Sequence, residues 1–537
     1  MTTRTFANRL PRVACFAFAA GLALSALPAG AVTLRYANQG DLKSLDPYTL
    51  NETTTIAHHG HVFEGLTSRG KDLAIGPGLA EKWELVEPTK WRFHLRRNVK
   101  FSDGTPFSAD DVIFSAERVR ATGSNFATRV PADVKVTKVD DYTVDFETPK
   151  PNPILFYQWD SWYIMSKAWA EKNNSVAPTP AAAQTPTYAS LNAMGTGPYT
   201  IESHQPGVKT VFKKNPNYWG KVEGNIDEIV FTPISNDSTR VSALLSGEVD
   251  VIEPVPLQDI NRVNQAGSAE VKTAPEVRVI FLGMDQIRDE LLNSNVKGKN
   301  PFKDKRVREA FFKAIDVEAI KSRVMRNLSS PTALMVGREF FDLAKDFTRE
   351  KPDPEAAKKL LAEAGYPNGF EVGMNCPSDR YVNDGDICRA VIGMLARVGV
   401  KVNPIIEPKA QYFAKILKSG GFNTSFYMLG WTVGTGDSHN VLYEIMGCRN
   451  DPKTSRGDTN SGGYCNPKLD SLTDQILVET DKAKRDGMIK QAFQVGIDDY
   501  GYIPLHQQPL VWGVSKKVKL VQRADNQVLL YWASKSE

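Results

Sequence analysis

GLAEKWELVEPTKWRFHLRRNVKFSDGTPFSADDVIF, residues 78–114, carries two different periods side by side. Trp91, Phe93 and Leu95 alternate with polar residues, which is the two-residue repeat of a strand with one buried face. Ser108 then offers a side-chain oxygen suited to cap a helix, and Asp110 and Asp111 sit where unpaired N–H groups favour negative charge. Val112, Ala116 and Val119 follow at spacings that line one helical face. Tyr142, Val144 and Phe146 repeat the strand pattern. Strand, helix and strand in this order predict an α/β protein.

The same mixture continues downstream. Val307, Phe311, Ala314 and Ile315 share a helical face. A second helix is framed by Asp353 as cap, Pro354 in its first turn and Gly365 just past its end, with Ala357, Leu360, Leu361 and Ala364 facing inward. Strands are predicted near 370–374 and 400–406. The Pro-, Ala- and Thr-rich stretch 174–186 has no period and reads as a surface excursion. No internal repeat is detectable.

The N-terminal segment places Arg4, Arg9 and Arg12 before an apolar run from Val13 to Leu27, then small residues at Ala29 and Ala31. This is the order of a secretory signal peptide, residues 1–31, with cleavage expected after Ala31. The run is shorter than the roughly 20 residues that span a bilayer. Cys15 lies inside it and is expected to be discarded with the leader. The leader arginines account for three of the formal net charge of +4, so the remainder is near +1. That balance gives no reason to expect a nucleic-acid partner or an acidic membrane surface.

Removing the leader leaves several times the length of one domain, so at least two cores are expected. Four cysteines remain, Cys376, Cys388, Cys448 and Cys465. Four allow three pairings; the short separations favour Cys376 with Cys388 and Cys448 with Cys465 in an exported chain. Metal binding is the competing reading, although neither pair has C-x-x-C spacing.

Read together, several segments resemble the family 5 extracellular solute-binding proteins, which serve bacterial ABC importers for dipeptides, oligopeptides and nickel. The densest match is residues 78–114, supported by LDP at 45–47, FEGL at 63–66, GTGPY at 195–199, NPNYW at 215–219, VREAFFKAID at 307–316 and KKLLAEAGY at 358–366. The resemblance implies a two-lobed periplasmic binding-protein fold of class II, in its large three-domain form, with a hinge and a ligand cleft between lobes. Domain I would comprise 32–66, 194–282 and 511–537, domain II 67–193, and domain III 283–510. The hinge would lie near 280–284 and 504–512. It further implies a periplasmic monomer that closes over a small solute, a di- or oligopeptide above all, and hands it to an inner-membrane ABC permease.

The resemblance also suggests where the ligand sits. Arg380, in CPSDRY, stands where dipeptide-binding relatives receive the ligand carboxylate, and a guanidinium can grip a carboxylate through two parallel hydrogen bonds. Such relatives carry an acid three residues after a tryptophan to hold the ligand amine. Here the stretch is GWTVGTGDSHN, and that place is Gly434; Asp437, three residues on, is the substitute candidate. Trp431 is expected as a pocket wall, with Tyr36, Asn38 and Thr54 opposite it.

His58, His59 and His61 form the only histidine cluster. On a helix His58 and His61 share a face and His59 points elsewhere, so a zinc or nickel site is disfavoured against polar residues at a helix start or cleft rim. No cofactor is implied. The enzyme alternative, a secreted peptide hydrolase, finds no G-x-S-x-G elbow, H-E-x-x-H helix or phosphate loop. A second alternative is a sensory clamp read by a membrane receptor.

Overall fold

The long strands Ala269–Met284 and Tyr502–Ser515 run antiparallel through the middle of an eleven-stranded sheet. Each is longer than the usual strand of 5–6 residues, and different neighbours take up its two ends. At one end Tyr502–Ser515 pairs with Val251–Glu253, which leads through Thr33–Asn38, Glu228–Pro233 and Lys209–Lys214 to Tyr199–Gln205. At the other end Ala269–Met284 pairs with Phe426–Trp431, then Glu371–Pro377 and Lys401–Glu407. The pairing of the two long strands shifts register between Pro275 and Val279, midway along the crossing.

This computed structural model describes residues 1–3, 31–449, 454–479 and 481–536. The leader from Arg4 through Gly30, Cys15 included, lies outside the described residues. Contacts separate Met1–Ala31 from Val32–Glu537, and everything below concerns the second unit. Among the described residues no helix is long and apolar enough to cross a membrane.

A separate four-stranded sheet takes up the quoted stretch, in the order Ala80–Glu87, Lys90–Leu95, Thr143–Glu147 and Lys135–Asp140. Phe93, Leu95, Val144 and Phe146 are buried, as their alternation predicts. The helix Ala109–Arg120 starts at Ser108, whose side chain accepts from the Asp110 amide while Asp111 returns a bond to the Ser108 amide. Val112, Ala116 and Val119 face inward. Trp159 and Trp162 seal this core, with ring centres 4.3 and 6.0 Å from Phe146 and 5.2 Å from each other.

The later helices and strands fall where their periods place them. Lys305–Ala314 buries Val307, Phe311 and Ala314, with Ile315 buried just past its end. Pro354–Glu363 is capped by Asp353 and followed by Gly365 at φ +92°, a left-handed turn that glycine adopts freely. Leu361 and Ala357 are buried, while Leu360 and Ala364 are only half-covered. Cys376 and Cys388 are joined, as are Cys448 and Cys465.

The 174–186 stretch has no helix or strand, but it is more than a surface loop. Ser175 and Thr179 are buried because they serve one ion pair: Arg118 grips Asp46 through two bonds of 2.8 and 2.6 Å, and both side chains are fully buried. Thr179 adds its amide and hydroxyl to Asp46, and the Ser175 carbonyl accepts from Arg118. The LDP motif therefore places the acid that ties the helix and the excursion together.

Candidate functional site

The residues that line the cleft around Arg380 come from distant parts of the chain. From the earlier part come Glu52, Arg69, Arg129 and Gln158; from the later part come Arg380, Trp431 and Gly434; and Arg278 comes from the long crossing strand. The cleft, partly open to solvent, has a volume of about 110 Å³. That is room for the order of eight waters, so the site suits a small polar solute.

Arg380 sits on a turn whose shape is fixed from several sides. Cys376 lies on the strand before it and Cys388 on the helix Asp384–Ala396 after it, so the disulfide closes the loop that displays the arginine. Asp384 accepts from the amides of Arg380 and Tyr381 at 2.9 and 3.1 Å, Gln508 accepts from the Val382 amide, and the Tyr381 hydroxyl meets Gly430. Burial lifts the Asp384 pKa to about 7.

Glu52 faces this turn from the opposite side of the cleft. It caps the helix Thr53–His59, accepting from the amides of Thr54 and Thr55, and it accepts a 2.9 Å bond from buried Lys409. Burial opposes its charge, but Lys409 and Arg380 hold it well below the usual carboxylate range. The Arg380 Nε reaches Glu52 only as a 3.4 Å ion contact.

The cleft arginines differ in what they have left to offer. Arg69 donates to the carbonyls of Leu73, Tyr157 and Gly434; Arg129 donates to Ser161, Gln158 and Asn51; Arg278 donates to Glu276 and Thr53. Arg380 is 8 % exposed, yet its guanidinium makes no hydrogen bond among the described residues, and its Nε has no hydrogen-bond partner. Burial disfavours its charge, while Glu52, Glu276 and Glu253 outweigh that and keep it cationic. Glu52 is shared with Lys409, so among the described arginines of the cleft Arg380 is the one whose guanidinium is ion-paired but not hydrogen-bonded.

With this geometry in view, the comparisons with known proteins fall into one pattern. Residues 74–453 match the sequence model described as bacterial extracellular solute-binding proteins, family 5. The chain belongs to family 5 of the bacterial extracellular solute-binding proteins. Its relatives include the dipeptide-binding protein of Escherichia coli K12, 30 % identical across 93 % of this chain and 94 % of that one. Another is the heme-binding protein A of Haemophilus influenzae, 28 % identical across 83 % and 81 %. The family 5 fold is shared with the periplasmic binding protein DppA of Helicobacter pylori, solved with the peptide STSA, at a TM-score of 0.81, 22 % identity and coverage of 94 % and 98 %.

Of the residues the sequence singles out, Arg380 and Trp431 line the cleft of this family 5 protein and four others do not. Asp437 is held by Arg485 through two bonds of 2.8 Å and is thereby withdrawn from the cleft. Tyr36 and Asn38 are buried behind it, where Asn38 donates to Tyr36 and Glu253. Thr54 gives its amide to Glu52 and its carbonyl to His58. Gly434 lines the cleft beside the Gln158 side chain, whose amide nitrogen would stand 2.7 Å from a Cβ at this position.

The histidines sit in the last turn of the helix and just past it, not at its start, and none lines the cleft. His58, His59 and His61 turn to separate carbonyls, those of Thr54, Ser44 and Ala57. Among the described residues no group of three or more His, Cys, Asp or Glu is placed to hold a metal. Burial among Tyr36, Phe212 and Phe231 lowers the His58 pKa to about 3.

A depressed histidine pKa means that the neutral ring favours the fold above the unfolded value near 6.5, and that this contribution is lost as pH falls through 6.5 toward about 3. His58→Phe is therefore expected to lose less stability than the parent on acidification, by about 1 kcal/mol between pH 6 and 5. Urea unfolding at the two pH values checks this, and parallel losses would contradict it.

Proposed function

We propose that this chain is the periplasmic substrate-binding component of an ABC importer for peptides, exported by the leader at 1–31 and acting as a monomer. It captures a di- or oligopeptide by closing its two lobes and carries it, chemically unchanged, to an inner-membrane permease. The observation that carries this reading is the buried, cationic guanidinium of Arg380, which makes no hydrogen bond among the described residues and whose fork matches a ligand carboxylate. Two relatives in the comparisons are named for dipeptides and oligopeptides.

Closure needs a ligand that binds the shut form better than the open one. Arg380, Glu52 and Arg278 supply that difference, because they come together from separate parts of the chain. The register shift between Pro275 and Val279 in the long strands gives the crossing a place to bend. We place the flexing point there, beside the segment 280–284.

Small-angle scattering tests the clamp. Addition of a saturating dipeptide mixture is expected to reduce the radius of gyration, and native mass spectrometry should then find the peptide mass bound and unaltered. An unchanged radius with no bound mass would overturn the reading. A hydrolysed peptide would point to an enzyme, and intact peptide uptake in a deletion strain would point to a sensory role.

A further inference from the structure

Two cations on one side of the cleft reach toward a single acid on the other. Lys409 opens the helix Lys409–Ile416, and its amide donates to the carboxylate of Asp379, one residue before Arg380, so the ammonium and the guanidinium share a mount. Both side chains are buried, and so is that of Glu52, which faces them. The Lys409 ammonium donates to Glu52 Oε1 at 2.9 Å, whereas the Arg380 guanidinium meets Oε2 only through a 3.4 Å contact of its Nε. Among the described residues these are the two cations within ion-pair distance of Glu52.

A guanidinium and a carboxylate that are free to pair close to about 2.7–2.9 Å, often through two parallel bonds. That closure is missing here, and the other partners of the acid show why. Oε1 accepts from the amide and the hydroxyl of Thr55 at 2.9 and 2.6 Å as well as from Lys409, and Oε2 accepts from the Thr54 amide at 3.2 Å. Lys409 already supplies the counter-charge that a buried carboxylate requires, so little is gained by turning the fork of Arg380 onto it. Gly40 leaves the lysine its room: it is buried, and a Cβ there would stand 2.6 Å from the Lys409 Nζ and 2.8 Å from its Cε.

We propose that Lys409 is a positioning residue for ligand capture: by holding Glu52 it keeps that acid from closing onto Arg380, and so leaves the guanidinium fork to the ligand carboxylate. Glu52 is then an internal competitor of the ligand, restrained from within the protein. This rests on the peptide reading above and adds to it the residue that keeps the carboxylate-binding group open. A bolt that merely held the cleft shut would fail alike from either end. A restrained competitor responds in opposite directions when the restraint or the acid is removed.

Calorimetry with Ala-Leu and its C-terminal amide tests this on the full chain, the ratio of the two affinities measuring how strongly the carboxylate is read. The parent should favour the acid by about 10- to 150-fold, and Lys409→Met should shrink that ratio to about threefold or less, because Arg380 then turns to Glu52. Glu52→Gln should raise the ratio above the parent's, and Glu52→Gln combined with Lys409→Met should return it to within about threefold of the parent. A parent that binds both probes alike, a Lys409→Met ratio equal to the parent's, or a Glu52→Gln ratio at or below it overturns the assignment while the peptide reading stands. Urea unfolding shows which variants fold; if Lys409→Met does not, the rise in Glu52→Gln and the return in the double variant decide, and the absence of either overturns the assignment. If the parent binds neither probe, the peptide reading itself falls and takes this inference with it.

Discussion

Replacing Asp46 with alanine is expected to lower folding stability by about 3–5 kcal/mol. The acid accepts two bonds from Arg118 and two more from Thr179, and neither member of the ion pair touches solvent. Truncation leaves a guanidinium sealed in the core with its counter-charge gone, which costs far more than the pair itself contributes. Asp46→Leu combined with Arg118→Met should recover most of the loss, because a packed apolar pair has no charge to bury. Urea midpoints of the parent, the single and the double variants check both statements. A single variant within about 1 kcal/mol of the parent would show that Arg118 finds another partner.

Arg380→Ala is expected to weaken peptide binding by about 2–5 kcal/mol while leaving the folded protein intact. The arginine side chain makes no hydrogen bond among the described residues, and Lys409 continues to neutralise Glu52 after the change. What is lost is the group that meets a carboxylate in a dry cleft. Dissociation should accelerate more than association slows, since a buried pair acts on the bound state. Calorimetry and stopped-flow with a free dipeptide and its C-terminal amide separate the causes. In the parent the amide should bind more weakly than the acid, and in Arg380→Ala the two should bind alike. A variant that still prefers the acid would assign the carboxylate to another residue.

The quoted stretch 78–114 could be read in advance because its information is local. Alternation at Phe93 and Leu95, the cap at Ser108 and the face of Val112 and Ala116 each depend on neighbours within a turn or a pleat. Arg380 and Trp431 were legible only through resemblance, since nothing in their own spacing marks them. Glu52 and Lys409 were missed because their bond joins positions 357 residues apart. The one available signal was Glu52 directly before three threonines, in the place where a helix wants an oxygen for its first amides. The pairing of Asp437 was hidden for a similar reason: its partner Arg485 lies on a distant helix, and a sequence does not announce which cation an acid will meet.

The bridge between Cys376 and Cys388 has a consequence for how the protein must be made. It fastens both ends of the segment that presents Arg380, and closing a loop of this size removes about 2–3 kcal/mol of freedom from the unfolded chain. Thiols kept reduced, as in a bacterial cytosol, would spare the broad sheet and its cores but leave the guanidinium on a slack tether. Preparations from such a source should pass every assay of solubility and still grip their cargo poorly, and mild oxidation should restore the grip.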